Sequence, residues 1–249
     1  MNAQIRSELL KLRTTRTTIE LLAWMALLVG FVVLLHVFTL RADTLSDRDG
    51  QLKVFGWGTS VGALFASLLG ASSVTGEIRH GTIRPTFLAT PKRARVLAAK
   101  AAVSALAGLA LGLLAEALAV GSGSAGLAAR GIATELSDSD YLQILAGGAI
   151  GAALWGTIGV GVGSISRNQT GTLVGLCVWL LLVETTLIGN IPSIGKFTPG
   201  ASAGALAGAI QTQAASSLLA PAVAALLLAT YAAAAVLAGS IAIACHDVS

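Results

Sequence analysis

Six apolar runs decide what this chain can fold into. A hydrocarbon layer about 30 Å thick is crossed by roughly 20 helical residues at about 1.5 Å each, and runs of that order lie near residues 19–40, 55–75, 91–120, 141–165, 170–188 and 218–244. They take up most of the 249 residues, so residues 1–249 read as a single transmembrane domain with little left for a soluble one. Composition agrees: the chain is 55% hydrophobic and 11% charged, with a mean hydropathy of +0.80, too little polar surface to cover a water-soluble globule. The first run follows a basic segment, as the core of a secretory signal does. It is too long for one, and Thr39-Leu40-Arg41 offers no small-x-small cleavage site.

The basic residues orient the helices. Residues 1–18, 76–100 and 166–169 hold eleven of the sixteen Lys and Arg, against Arg41, Arg48, Lys53, Arg130 and Lys196 in the alternate loops. Asp43, Asp47, Asp49, Glu135, Asp138 and Asp140 lie with those five. Short loops rich in Lys and Arg stay in the cytoplasm, so both termini and the 76–90 loop are expected there. The net charge of +4 is explained by this orientation, and nucleic-acid binding is not expected. In residues 2–17, Ile5, Leu9 and Leu12 recur at i, i+4 and i+7, with Arg6, Lys11, Arg13 and Arg16 on other faces. That suits an amphipathic interfacial helix over residues 1–18, its cations toward anionic lipid; a frayed basic tail is the alternative.

Beyond the second run lies the densest basic segment, GEIRHGTIRPTFLATPKRARVLAAK from Gly76 to Lys100, with six of the sixteen cations. At its end Thr90-Pro91 reads as a helix cap followed by a first-turn proline. Residues 121–140 read as a Gly/Ser-rich, then acidic, loop or short surface helix, and Asp140 with Gln143 as a capping box for the fourth span. Residues 191–217 are apolar in part but too short to cross, so a re-entrant or interfacial segment on the outer side is expected.

Six spans, both ends inside, an amphipathic lead helix and this loop together resemble the permease subunit of type 2 ATP-binding-cassette exporters. The residues that carry the resemblance are SELLKLRTTR, Ser7 to Arg16, and the Gly76 to Lys100 segment with its Gly-Glu, Gly-Thr and Pro-x-Arg steps. The resemblance implies an elbow helix at residues 1–18 and a cytoplasmic coupling loop or helix at 76–90 seated in a separate ATPase subunit. Glu77, Arg79, Arg84, Lys92 and Arg93 match that contact; Gly81 and Pro85 stand against a helix there. It further implies a second copy or a related permease as partner, membrane lipid around both, and a bacterial cell (plasma) membrane as location. ATP and magnesium would belong to the partner subunit and no cofactor to this chain. An aromatic content of 5% and few charges within the runs suit an amphipathic cargo, such as a drug, antibiotic, peptide or lipid-like molecule, and suit a plain helix bundle equally well. A basic loop that obeys topology and binds anionic lipid remains the plainer reading of 76–100.

No nucleotide site is expected here. Gly189 to Lys196 has five residues between its glycines where a phosphate loop has four, and Phe197 stands where Ser or Thr would hold magnesium. Glu116, Glu184 and His36 fall inside the runs, where an ionised carboxylate costs roughly 2.5–3.5 kcal/mol on insertion scales. They are expected to line a translocation path or outer gate, to cap and snorkel near the interface, or to serve proton coupling. Cys177 and Cys245 lack CxxC spacing and a His pair, which argues for inert thiols and against a metal. The GxxxG pairs, such as Gly58/Gly62 and Gly159/Gly163, favour close helix packing within one subunit. Two other function classes stand beside the exporter subunit: a non-transporting immunity or structural protein that binds a toxin or lipid, and an intramembrane enzyme, which the lack of HExxH and of a Ser/His pairing disfavours.

Overall fold

The computed structural model describes residues 2–90, 92–209 and 219–245, without the side chains of Asn2, Ala3, Arg84 and Ala89. It is 87% helix with no strand among the described residues. In chain order the helices are α1 (Asn2–Thr14), α2 (Arg16–Thr39), α3 (Ala42–Leu45), α4 (Arg48–Phe55), α5 (Trp57–Arg79), α6 (Ile83–Ala89), α7 (Arg93–Ala129), α8 (Asp138–Ser166), α9 (Gln169–Val178), α10 (Glu184–Asn190), α11 (Pro192–Gly195), α12 (Pro199–Ala207) and α13 (Pro221–Cys245), with a π-helical turn at Trp179–Val183 joining α9 to α10. Among the described residues six segments are long and apolar enough to cross a membrane: α2, α4 with α5, α7, α8, α9 with α10, and α13. The chain is a multi-pass membrane protein.

Glycine lets the central helices touch. α8 packs against α5, α7 and α13, and α5 against α7. A Cβ on Gly70 of α5 would overlap the Gly156 carbonyl of α8, and one on Gly159 of α8 the Ser67 carbonyl of α5. In lipid, where no hydrophobic force draws helices together, this backbone approach supplies the dispersion contact that holds them. α2, α9 with α10, and α13 are the outer staves, with about a fifth of each apolar window buried.

α7 runs past the apolar run that predicts it. The expected loop after residue 120 is helical to Ala129, because Gly123 and Gly126 sit against Phe55, Val33 and Val37; this packing overrides the poor helix propensity of a Gly/Ser stretch. The helix then ends in a Schellman turn, with Ile132 N–H on Leu127 O (3.0 Å), Gly131 N–H on Ala128 O (3.0 Å) and Gly131 at φ +68°. Arg130 extends from that end to the carbonyls of Val37 and of Leu40 (2.8 Å), tying α7 to the end of α2.

Two caps differ from the sequence reading. α8 is capped by Ser137, whose hydroxyl accepts from Asp140 N–H while Asp140 accepts from Ser137 N–H (3.0 Å). Asp140 is therefore the last residue of the box and not its first; Ser137 supplies a short hydroxyl acceptor, and Arg48 holds the Asp140 carboxylate at 2.5 Å. Thr90 closes α6, accepts a hydrogen bond from Gln4 (2.7 Å), and leaves Lys92 at the start of α7; Pro91 lies outside the described residues.

Of the 191–217 segment, residues 210–217 lie outside the described residues. The rest forms α11 and α12, and α12 is buried against α8, α13 and α5. Nine residues rise about 14 Å, too little to cross. Thr198 caps α12 and Pro199 opens it.

Candidate functional site

The amino-terminal end of the bundle gathers α1, α6, the start of α7, the α8–α9 turn and the end of α13. Arg93 reaches Ile243 O (2.8 Å) and Arg167 reaches Ala242 O (3.0 Å), so the last helix finishes beside the start of α7 and the end of α8. At this end four charges from three helices close into a ring. Glu8 of α1 meets Lys11 (2.7 Å) and Lys100 (2.8 Å), and Glu77 of α5 meets the same two ammoniums at 2.6 and 2.8 Å. Lys100, on the second turn of α7, is 2% exposed and also donates to Ser73 O (2.9 Å). The four charges sum to zero, and each ammonium has two carboxylates. Only Glu77 Oε2, buried, has no hydrogen-bond partner.

The electrostatics follow from that geometry. Burial alone raises the Glu8 carboxyl, but Lys100 and then Lys11 outweigh it and hold the group below its ordinary value. Burial alone lowers the Lys11 ammonium, and Glu77 and Glu8 outweigh it in the other direction. Glu8 and Lys11 are thereby held in their charged forms, and the ring pins α1 to both α5 and α7. A cavity of about 490 Å³ adjoins it, lined by the ring and by hydroxyls including Thr15, Thr18, Ser72, Ser73 and Thr86.

The coupling residues divide between inside and outside. Glu77 is turned into the ring, 12% exposed. Arg93 lies over the Phe87 ring (5.5 Å) and on the α13 terminus. Arg79 is exposed, donating to Gln169 Oε1 (3.2 Å), and Lys92 is exposed at the start of α7. Arg84 is the second residue of α6; its side chain is outside the described residues. α6 itself is a two-turn helix after a tight turn at Gly81 (φ +70°). Pro85 fits its first turn, where a missing N–H leaves no bond unmade. Leu88 projects from α6, 83% exposed.

The three in-span residues do not form one site. His36 packs tilted against Trp57 (ring centroids 5.0 Å apart, planes at 44°), and its Nδ1 lies 2.8 Å from Val32 O. Glu116 is fully buried between Gly58 of α5 and Gly148 of α8, accepts from Thr59 (2.6 Å), and keeps Oε2 without a partner. His36 and Glu116 thus approach the first turn of α5 from two sides. Glu184 sits apart, 2% exposed, accepting from Trp179 Nε1 (2.7 Å) and from the Gly200 N–H at the start of α12, where the helix dipole favours a carboxylate.

Sequence reading set Lys11 among the cations turned toward anionic lipid and Lys100 in a topological charge run, gave Glu8 no role, and so missed the ring. Its signal was Lys100 alone inside the apolar VLAAKAAV stretch, since a lone cation within a span needs a partner. Among the described residues no three His, Cys, Asp or Glu converge as a metal site. The sequence matches no protein-family model and no curated protein.

Proposed function

We propose that the chain is the permease subunit of an ATP-binding-cassette exporter, oriented with the amino-terminal end in the cytoplasm, and that α6 is the contact for a separate ATPase subunit. The observation that carries the reading is the clamp beneath α6. A motor that closes on ATP has to push on something rigid, and the Glu8–Lys11–Glu77–Lys100 ring locks α1 to the two helices that flank α6. A push on α6 then tilts α5 and α7 as a body. The charge distribution supports the orientation. Arg79, Lys92 and the exposed Leu88 face outward as contact residues, Arg84 belongs with them by position, and Glu77 and Arg93 brace the helix from below. A second copy or a related permease completes the path, the ATPase holds ATP and magnesium, and the cargo is an amphipathic molecule moved out of the cell.

The test uses Leu88→Cys in a chain whose Cys177 and Cys245 are replaced by Ser. A membrane-impermeant maleimide should label it in inside-out vesicles and not in intact cells, and co-expressed ATPase subunit should protect it. Labelling from the external face, or no ATPase retained on the purified full chain, overturns the proposal.

A further inference from the structure

On the outer side of α8 lies a groove of about 650 Å³, within the range of small-molecule sites. Trp155, Leu176, Thr172 and Thr198 form its buried floor, while Trp179, Phe197 and Tyr231 form a rim more than a third exposed. Each of the floor hydroxyls is used within the chain: Thr172 donates to Asn168 O (2.7 Å) and Thr198 to Gly195 O (2.9 Å). The rim donors are used as well, Trp179 on Glu184 (2.7 Å) and Tyr231 on Phe197 O (3.0 Å). Trp155 is the exception. It is 1% exposed, and its indole N–H has no acceptor.

A buried N–H without a partner is costly, and more so where no water can reach it. Its depth says what can satisfy it. Trp155 stands about 17 Å along the helix from Ser166 and about 26 Å from Asp138, well inside a hydrocarbon layer of about 30 Å. Bilayer acyl chains carry no acceptor there, since phospholipid ester carbonyls sit at the edges of that layer. Gly175 widens the groove: a Cβ on it would meet nothing within 4 Å.

We propose that this groove binds an apolar, ring-bearing small molecule carrying a carbonyl or ether oxygen within its apolar body, with the Trp155 N–H as donor and the rim aromatics stacking on its rings. The inference rests on the exporter reading only in taking this molecule to be cargo; the binding itself needs no ATPase.

The experiment places the full chain in nanodiscs of dioleoylphosphatidylcholine and irradiates it with benzophenone, two rings bridged by a carbonyl. Saturable photolabelling should map to the segments around Trp155, Leu176 and Phe197. Fluorenone should compete about threefold to tenfold better than fluorene, which has the same rings and no acceptor, as expected for one hydrogen bond. Trp155→Phe should erase that preference, and Gly175→Leu, which fills the groove and removes nothing, should cut labelling by either route. Unsaturable labelling spread over the outer helices overturns the proposal. So does equal competition by fluorene, the behaviour of an acyl-chain slot, and so does a preference that survives Trp155→Phe. If Trp155→Phe fails to fold, the two competitors and Gly175→Leu still decide. Loss of the ATPase partnership leaves this result standing, and loss of photolabelling leaves the ATPase test standing.

Discussion

Removing the buried cation of the charge ring tests whether the ring clamps α1 to the bundle. In Lys100→Met the apolar stem is kept and the ammonium is lost, so Glu8 and Glu77, each about nine-tenths buried, share Lys11, which is 44% exposed. Breaking a buried pair from one side costs about 3–5 kcal/mol, because a desolvated charge is left uncompensated. For a chain of this length each kcal/mol moves the midpoint by about 2–4 °C, so Tm should fall by roughly 6–20 °C. The double variant Lys100→Met with Glu8→Gln restores neutrality with one Lys facing one Glu, and should recover at least half of that loss. The assay is thermal unfolding in detergent, paired with the rate of tryptic cleavage at the exposed Arg13 and Arg16, which rises if α1 detaches first. A Tm change under 1 °C with unchanged cleavage, or a double variant worse than the single, refutes the clamp.

The same ring sets a pH window. Glu8 lies below its ordinary 4.5, so its contribution is present above that value and lost as pH falls through the lower folded one; Lys11 lies above its ordinary 10.5, so its contribution is present below that value and lost as pH rises through the higher folded one. The Tm difference between the wild type and Glu8→Gln should therefore hold constant above about pH 4.5 and shrink as the pH falls below it. Gly159→Leu drives a side chain into the Ser67 carbonyl across the α5–α8 contact and should lower stability by about 3 kcal/mol, read by the same melt. Arg130→Met frees the Val37 and Leu40 carbonyls at the end of α2 and should cost about 1–3 kcal/mol, with faster hydrogen exchange confined to the last turn of α2.

The membrane class was legible because apolar length is a property of the sequence alone. Six runs of about 20 residues and their charged ends need no tertiary knowledge, and among the described residues the structure likewise has six helices long and apolar enough to cross. The extension of α7 through Gly121 to Ala129 was not legible, since what keeps Gly123 and Gly126 helical is the Phe55 and Val37 side chains from elsewhere in the chain. The cap of α8 was misread by three residues: Asp140 announces itself as a capping residue, but which end of the box it occupies depends on Ser137 being free to accept its N–H. The charge ring was hidden for a similar reason. Lys11 obeys an amphipathic pattern, and only the approach of Lys100 to Glu8 across 92 residues shows that this side of α1 is covered. His36 and Glu116, far apart in sequence, share the first turn of α5 through Trp57, Gly58 and Thr59, a meeting that no spacing rule predicts.

The length of α7 has a mechanical consequence. Thirty-seven residues make a rod of about 55 Å, nearly twice the hydrocarbon thickness, anchored to its neighbours by Lys100 near one tip and Arg130 at the other. Such a rod is a lever: an angular change of about 5° at one tip sweeps the other through about 5 Å, the width of a solute. A small displacement at one face of the membrane is thereby delivered at the other, magnified by nothing more than geometry.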